Sequence, residues 1–599
     1  MSRRAGRLGW FLVWGVVFCD IGTSVYYVPG LLYRSVGDLA GFFVVLTILA
    51  FVLLCVKVLE VTRRFPGGGG VVSVADHAFG PWWGALGGQL ILVDYFLTVA
   101  ISAVSGVYYV DTFLQLEGGV VPLTLGCLLL LGLVNVVGVK ESAKVSAVLA
   151  VAALIVDAGV IAAAFLHAPP EVIARIPREF VGLADESPTQ FLVGYAGAWL
   201  AFSGLESLSQ LAPAMRDLTD TPRRALIAVI VSVVLTSPVL TVLAVASLPP
   251  EIELAHGERF IAELGLVWGG KGLQVAVVLT AAAALLFAAN TAVIGSYHVQ
   301  MALARRQMAP AAVGALSQRF QTPSIAIAIA TLVPALVLVV TGGDIVALGG
   351  LYAFGLLGSF LLTSAGVDVL RWRDGERGRS FVIGLFTTAL VAIAFVVNLV
   401  AKPHAAAFGG GLAAFGMLLA VAVHNGWIER IIAHIPRLAP PEVVVRGSEL
   451  PILTVAQAAA LQPHISNGIL VASRGATRKI FREAVDRAHA RGHSRVFVAY
   501  VDEVPGMFYP QLAAPTAEGL TVLDAGCSLV RELGGDPVPV WGISHSAAAM
   551  VVEIAEELSC DTLVIGATQR TFLWHALRGQ FIQELRAALP PEIRLIVVG

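Results

Sequence analysis

Between Trp10 and Trp427 the chain repeats one pattern about twelve times: an apolar run of ~20 residues, long enough to cross a ~30 Å hydrocarbon core, and then a short polar interruption. A segment in lipid must satisfy its backbone hydrogen bonds internally, so these runs predict membrane helices. They lie near 10–34, 39–62, 84–113, 121–139, 143–167, 189–213, 225–248, 271–303, 323–341, 345–366, 381–401 and 406–426. The composition agrees, with 57% hydrophobic and 13% charged residues and a mean hydropathy of +0.83. The apolar run from Trp10 carries no small-residue cleavage site, so the first crossing is expected to stay in the mature protein.

The placement of Lys and Arg tests this count, because they concentrate in short loops on the cytoplasmic side. With the N-terminus (Arg3, Arg4, Arg7) inside, alternate loops carry Arg63 and Arg64, Lys140 and Lys144, then Arg216, Arg223 and Arg224. The same side continues with Arg305, Arg306 and Arg319, and with Arg371, Arg373, Arg377 and Arg379. The opposite loops are poorer in basic residues, and "PPEIELAHGERF" is acidic overall. An even number of crossings in a cytoplasmic membrane, both termini inside, is the reading that length and charge share. The net charge of −2 gives no reason to expect a nucleic-acid partner. The five cysteines lack C-x-x-C spacing and read as small buried hydrophobes.

After Trp427 the composition changes. Residues 1–430 make the membrane domain, 431–465 a Pro-containing linker ("AHIPRLAPPE"), and 466–599 a domain of another kind. There, apolar runs of strand length ("GILVAS", "RVFVAYV", "DTLVIGA", "IRLIVVG") alternate with helical segments, which predicts an α/β domain with a parallel sheet in the cytoplasm.

Function is carried by polar residues inside the crossings. In "FCDIGTSVYYVPGLLY" Asp20 stands in an apolar run and is followed at once by Gly22-Thr23-Ser24. A mid-span carboxylate costs about 2.5–3.5 kcal/mol on insertion scales, so it is expected to face a pathway rather than lipid. Interrupted helices expose backbone carbonyls near the bilayer midplane, and carbonyls beside a carboxylate suit a desolvated cation. The alternative is that Asp20 caps the half-helix that follows. In the third span Asp94, Thr98 and Ser102, at i, i+4 and i+8, form a polar stripe on one helix face. Asp94 is expected nearer the cytoplasm; for Ser102, ordinary interhelical hydrogen bonding is an equal reading. The sixth span repeats the first, with a Ser203-Gly204 break beside Glu206 in "GAWLAFSGLESLSQL". Broken first and sixth spans predict an inverted repeat of five helices each, with the site at their interface. Glu206 has no basic neighbour in sequence, so burial would disfavour its charged form and let it pick up and release protons; hydrogen bonding as a neutral acid is the alternative.

Three features are weaker. "FPGGGGVVS" lacks the Gly-Lys-Ser/Thr ending of a phosphate loop and reads as a tight turn or a re-entrant gate. Tyr297 and His298 read more readily as packing than as a proton path. Tyr352, after two glycines, can aim its hydroxyl at the pathway or serve as an anchor.

With these residues in place, "CDIGTSVYY" resembles the Asp-Ile-Gly-Thr-Ser signature of the KUP-type, KimA-like potassium importers of the amino acid–polyamine–organocation superfamily. The likeness spans nearly the whole chain, including a tail similar to universal stress proteins. It implies a LeuT-type fold working as a potassium–proton symporter rather than an enzyme, and a homodimer. Potassium would be bound by Asp20, Tyr27, Ser102, Ser203 and Tyr352; Glu206 would couple protons, and Asp94 and Thr98 would line the inward exit. Ser203 stands where the group carries Thr, which keeps a hydroxyl. In the tail, the G-x2-G-x9-G-[ST] pattern of ATP-binding stress proteins is kept at Gly566 and Gly579 but replaced at Gln569 and Gln580. Cyclic di-AMP or an adenine nucleotide is the regulatory ligand the resemblance implies, near Ser473, Arg474, Gly566, Gln569, Arg570 and Gly579; a purely structural tail is the equal alternative. Two rivals remain for the whole: an amino-acid or polyamine permease of the same fold, and a membrane sensor that no longer transports.

Overall fold

The computed structural model describes residues 8–138, 143–179, 187–249, 257–317, 320, 322–428, 452–460, 468–475, 477–503, 515–544, 546–566 and 581–598. They belong to two compact units, Leu8–Val137 with Glu141–Arg437, and Leu438–Gly599.

In the membrane unit eleven helical segments among the described residues are long and apolar enough to cross a bilayer. The first, Trp10–Arg64, has 55 residues, about 80 Å if straight and more than twice a hydrocarbon core. It is interrupted at Gly37, whose φ of 57° suits glycine, and so holds the first two expected crossings. The segment that holds the eighth expected crossing, Gly257–Arg305 (the eighth segment below), is likewise two pieces: a short helix to Gly269, a break at Gly270 (φ 69°, ψ −172°), and the long crossing beyond it. The remaining spans used below are the second (Ala40–Arg64), third (Pro81–Leu114), fifth (Ala143–His167), seventh (Asp220–Ser247), tenth (Ile345–Arg373) and eleventh (Arg379–Ala401).

Local chemistry sets where helices start and stop. The sixth span opens with a capping box between Ser187 and Gln190, with Pro188 at the first helical position. The tenth opens on Asp344, whose carboxylate accepts from the Val346 and Ala347 N–H groups. In "FPGGGGVVS", Gly68, Gly69 and Gly70 all have positive φ and feed a short helix, Gly70–Phe79, so this stretch is a tight turn.

Both expected breaks are present. The first span is a helix over Trp10–Ile21, a 3-10 turn over Gly22–Tyr26, a kinked Tyr27 and a second helix over Val28–Val36. The sixth runs as a helix over Pro188–Ala198 and a 3-10 turn over Trp199–Phe202. It then passes through extended Ser203 and Gly204 at φ 95° before a short helix over Ser207–Gln210.

A buried ion pair ties the second, tenth and eleventh spans. Lys57 Nζ lies 2.7 Å from Asp368 Oδ2, with side-chain exposures of 1% and 6%. It also donates to the Ser364 carbonyl and the Thr388 hydroxyl, both at 2.8 Å. Gly384 gives this cluster room, since a Cβ there would meet Arg371 Nη1 at 2.6 Å and Lys57 Cε at 3.4 Å. Lys57→Met should therefore cost about 3–5 kcal/mol, because it strands a buried carboxylate. The check is a lower thermal unfolding midpoint in detergent, largely restored by the paired change Asp368→Leu.

The second unit carries a six-stranded, all-parallel sheet in the order β1-β4-β3-β2-β5-β6. The strands are β1 (Leu453–Thr454), β2 (Gly468–Ala472), β3 (Arg495–Glu503), β4 (Asp536–Ser544), β5 (Cys560–Gly566) and β6 (Arg594–Val598). Helices Arg478–Ala490 and Ala517–Glu532 contribute to one apolar layer, and helix Ala547–Glu557 contributes to the other. A sheet covered on both faces explains the near-continuous apolar strands.

Candidate functional site

The two breaks meet at Asp20. Glycine is required at 204 for its backbone angle and for space, since a Cβ there would fall 2.6 Å from Asp20 Cγ. The carboxylate accepts a short hydrogen bond from the Ser207 hydroxyl, so it reaches across to the sixth span and does not cap its own half-helix. The carbonyls freed by the first break are largely met locally. Thr23 donates to the Cys19 and Asp20 carbonyls (3.0 and 3.1 Å), and Ser24 to those of Ile21 and Ala201 (2.7 and 2.8 Å). Side-chain oxygens are thus the more available cation ligands here.

Around Asp20 a second set of polar groups closes in. Tyr352 donates a short hydrogen bond to Ser203 and accepts one from Thr98 at 2.8 Å, which links the tenth, sixth and third spans. Asp94, one turn before Thr98, faces Glu206 closely enough for the two carboxyls to share a hydrogen bond, and Asp20 is near enough to act on both. Tyr27 lies within electrostatic reach of Asp20 and Asp94. Asp94 and Thr98, expected along the inward exit, therefore sit within this cluster. Ser102 is buried farther along the same helix and joins none of these hydrogen bonds.

Exposure across these residues runs from 0% at Asp94 and Tyr352 to 8% at Glu206. Besides each other, Asp94 faces the Tyr352 hydroxyl and Glu206 the backbone N–H groups at 204 and 206, and among the described residues no Lys, Arg or His pairs with any of the three acids. Three carboxyls enclosed this way cannot all stay ionised without a cation or a proton among them. Among the described residues no group of three His, Cys, Asp or Glu side chains forms a metal-holding set.

Contacts between elements flank the site on both sides. On the side of the N-terminus a backbone bridge joins the start of the first span to the end of the sixth, Leu8 N–H to the Ala214 carbonyl and Arg216 N–H to the Leu8 carbonyl (2.8 and 2.9 Å). Arg306 and Asp76 add an ion pair at 3.3 Å. On the far side Arg34 pairs with Glu258 at 3.2 Å and Arg259 with Asp111 of the third span at 3.8 Å.

Two partners are not marked by the sequence pattern. Ser207 follows Glu206 directly, and only its register on the short helix points to it. Tyr95 follows Asp94, accepts a short hydrogen bond from Gln210 and lies near all three acids. Tyr297 and His298 pack with ring centroids 4.6 Å apart.

In the tail, Ser473 and Gly566 lie at the C-terminal ends of neighbouring strands, next to the pair Ala472 and Ile565, where open parallel sheets bind ligands. Ser473 already donates to the Gly475 carbonyl at 2.6 Å, and Arg474 pairs with Glu503 at 3.1 Å. Gln569, Arg570 and Gly579 lie outside the described residues.

Residues 8–423 match the model of a family described as amino acid permease, and residues 469–589 that of the universal stress protein family. An uncharacterized transporter of Mycobacterium tuberculosis is 25% identical over 424 residues, 70% of this chain and 91% of its own length. The potassium transporter KimA of Bacillus subtilis is 25% identical over 329 residues, 52% of each chain. A universal stress protein structure from Archaeoglobus fulgidus aligns over 100% of its length and 22% of this chain, at 19% identity and a TM-score of 0.19.

Proposed function

The chain belongs to the amino acid permease family, a multi-pass membrane transporter with a stress-protein-like tail, and on that premise we propose that it imports potassium together with a proton by alternating access. The observation that carries this reading is the enclosed acid cluster. Asp20 sits against Gly204 among hydroxyls, and Asp94 and Glu206 face each other without a basic partner. A monovalent cation held by Asp20 with Tyr27, Ser102, Ser203 and Tyr352 would supply one missing positive charge. A proton on Glu206, shared with Asp94, would supply the other. The name of the Bacillus relative and the Asp-Ile-Gly-Thr-Ser stretch support potassium as the cation.

Coupling makes physical sense. One inward charge gains ~2.3 kcal/mol per 100 mV, enough to hold a gradient of about 50-fold; a proton moving with it roughly squares that figure. The family name itself favours a second reading, in which Asp20 holds the ammonium group of a cationic amino acid or polyamine. Uptake by the purified protein in liposomes separates the two. Rubidium flux that potassium competes away supports the importer. Lysine or putrescine flux without rubidium flux would establish the permease, and ligand-dependent change in the tail without any flux the sensor.

In the same reading the protein lies in the cytoplasmic membrane as a homodimer with both termini inside, and the tail binds cyclic di-AMP or an adenine nucleotide. The engaged Ser473 and Arg474 would have to exchange partners to meet a phosphate.

A further inference from the structure

A fourth buried acid stands apart from the site. Asp157, in the fifth span, is 1% exposed. Its Oδ1 accepts a long hydrogen bond, 3.3 Å, from the hydroxyl of Tyr26, the last residue of the first-span turn. Its Oδ2 is buried without a partner. Tyr26 is itself held on two further sides: its carbonyl accepts from the Tyr109 hydroxyl at 2.8 Å, and its own hydroxyl lies within reach of Thr280.

This contact has a counterpart. In the second half of the fold the tenth span grips the sixth-span break through Tyr352 and Ser203. In the first half the fifth span grips the first-span break through Asp157 and Tyr26. Each half's last helix thus meets its own broken helix through one side-chain pair, and only the first-half pair includes an acid.

Among the described residues the groups facing Asp157 are few. The first-span turn presents Tyr26, the third span Tyr109 and the eighth segment Thr280. Glu258 and Glu263 lie beyond, acting on Tyr109, and the charged residues of the seventh span, Asp220, Arg223 and Arg224, are at its opposite end from this level. Among the described residues no cation offsets an ionised Asp157, and one long hydrogen bond is poor compensation for a buried charge.

We infer that Asp157 is a second proton-binding site, separate from Glu206, which takes up and releases a proton as the first-span break and the fifth span move against each other. The step is simple: an O–H bond forms at Oδ2 with a proton from water and later breaks, while Tyr26 keeps its own proton as donor to Oδ1. The inference rests on the proton-coupled reading above, but its test does not need flux.

Infrared difference spectra of the purified full chain in lipid, stepped from alkaline to acidic pH, report carboxyl protonation directly. Wild-type protein should gain a protonated-acid carbonyl band with a component that Asp157→Asn lacks and Glu206→Gln keeps. Asp157→Glu, which retains a carboxyl, should shift that component; should the Asn variant fail to fold, this shift decides alone. Spectra in which neither variant alters any acid band would overturn the inference. A titrating Asp157 band in a protein that moves no rubidium would retain the proton site and remove the transport reading; rubidium flux with no such band would do the reverse.

Discussion

Asp20→Asn should abolish rubidium uptake in liposomes while the protein still purifies as a folded transporter. The amide keeps the size of the carboxylate and can still accept from Ser207, so the packing against Gly204 survives. What it loses is the negative charge. Breaking one side of a buried charge pair costs about 3–5 kcal/mol, and at 1.4 kcal/mol per tenfold this corresponds to a loss of roughly 10²–10³ in affinity. Gel-filtration behaviour and unfolding temperature close to wild type, with flux at background, is the expected result. Near-normal flux would remove Asp20 from the site.

The second large effect concerns Glu206. Glu206→Gln can still hydrogen-bond to Asp94 across the gap these two side chains share, but it cannot give up a proton. The variant should bind rubidium nearly as wild type, lose its acceleration when the outside is made more acidic than the inside, and accumulate cation only as far as the membrane potential drives it. Accumulation would then fall towards the uniport limit of about 50-fold per 100 mV. Measured uptake against an imposed pH step, at clamped potential, gives the answer. A pH response equal to wild type would take the proton role away from Glu206 and leave Asp94 as the acid to examine.

Much of the fold was legible because each element follows from short-range chemistry. Apolar run length gave the crossings, and a glycine beside small hydroxyl residues gave both breaks, at Gly22-Thr23-Ser24 and Ser203-Gly204. Apolar strand-length runs gave β2, β3, β5 and β6 of the parallel sheet. The break in the Trp10–Arg64 helix at Gly37 and the extra turns before Gly270 depend on backbone angles that run length does not encode. At the site, isolated acids in apolar runs single out Asp20, Asp94 and Glu206, and the paired breaks bring Asp20 and Glu206 together; Asp94, expected along the inward exit, packs against them as well. The same signal stands at Asp157 and Asp368, but neither has a helix break beside it to mark a pathway. Partners such as Ser207, Gln210 and Lys57 depend on which helix faces pack together across more than a hundred residues of sequence, and periodicity within one span carries no such information. Pairing of the first break's carbonyls with Thr23 and Ser24 also runs against the initial picture of free backbone ligands: hydroxyls next to a break satisfy it locally.

The central claim is that a dehydrated monovalent cation rests beside Asp20, between the two breaks. Anomalous diffraction from crystals grown in rubidium tests it most directly. The account predicts one strong peak within ligand distance of the Asp20 carboxylate and the hydroxyls of Ser203 and Tyr352, lost in Asp20→Asn crystals. A fully occupied peak elsewhere in the membrane unit, or ordered amine density in place of any peak at Asp20, would contradict it.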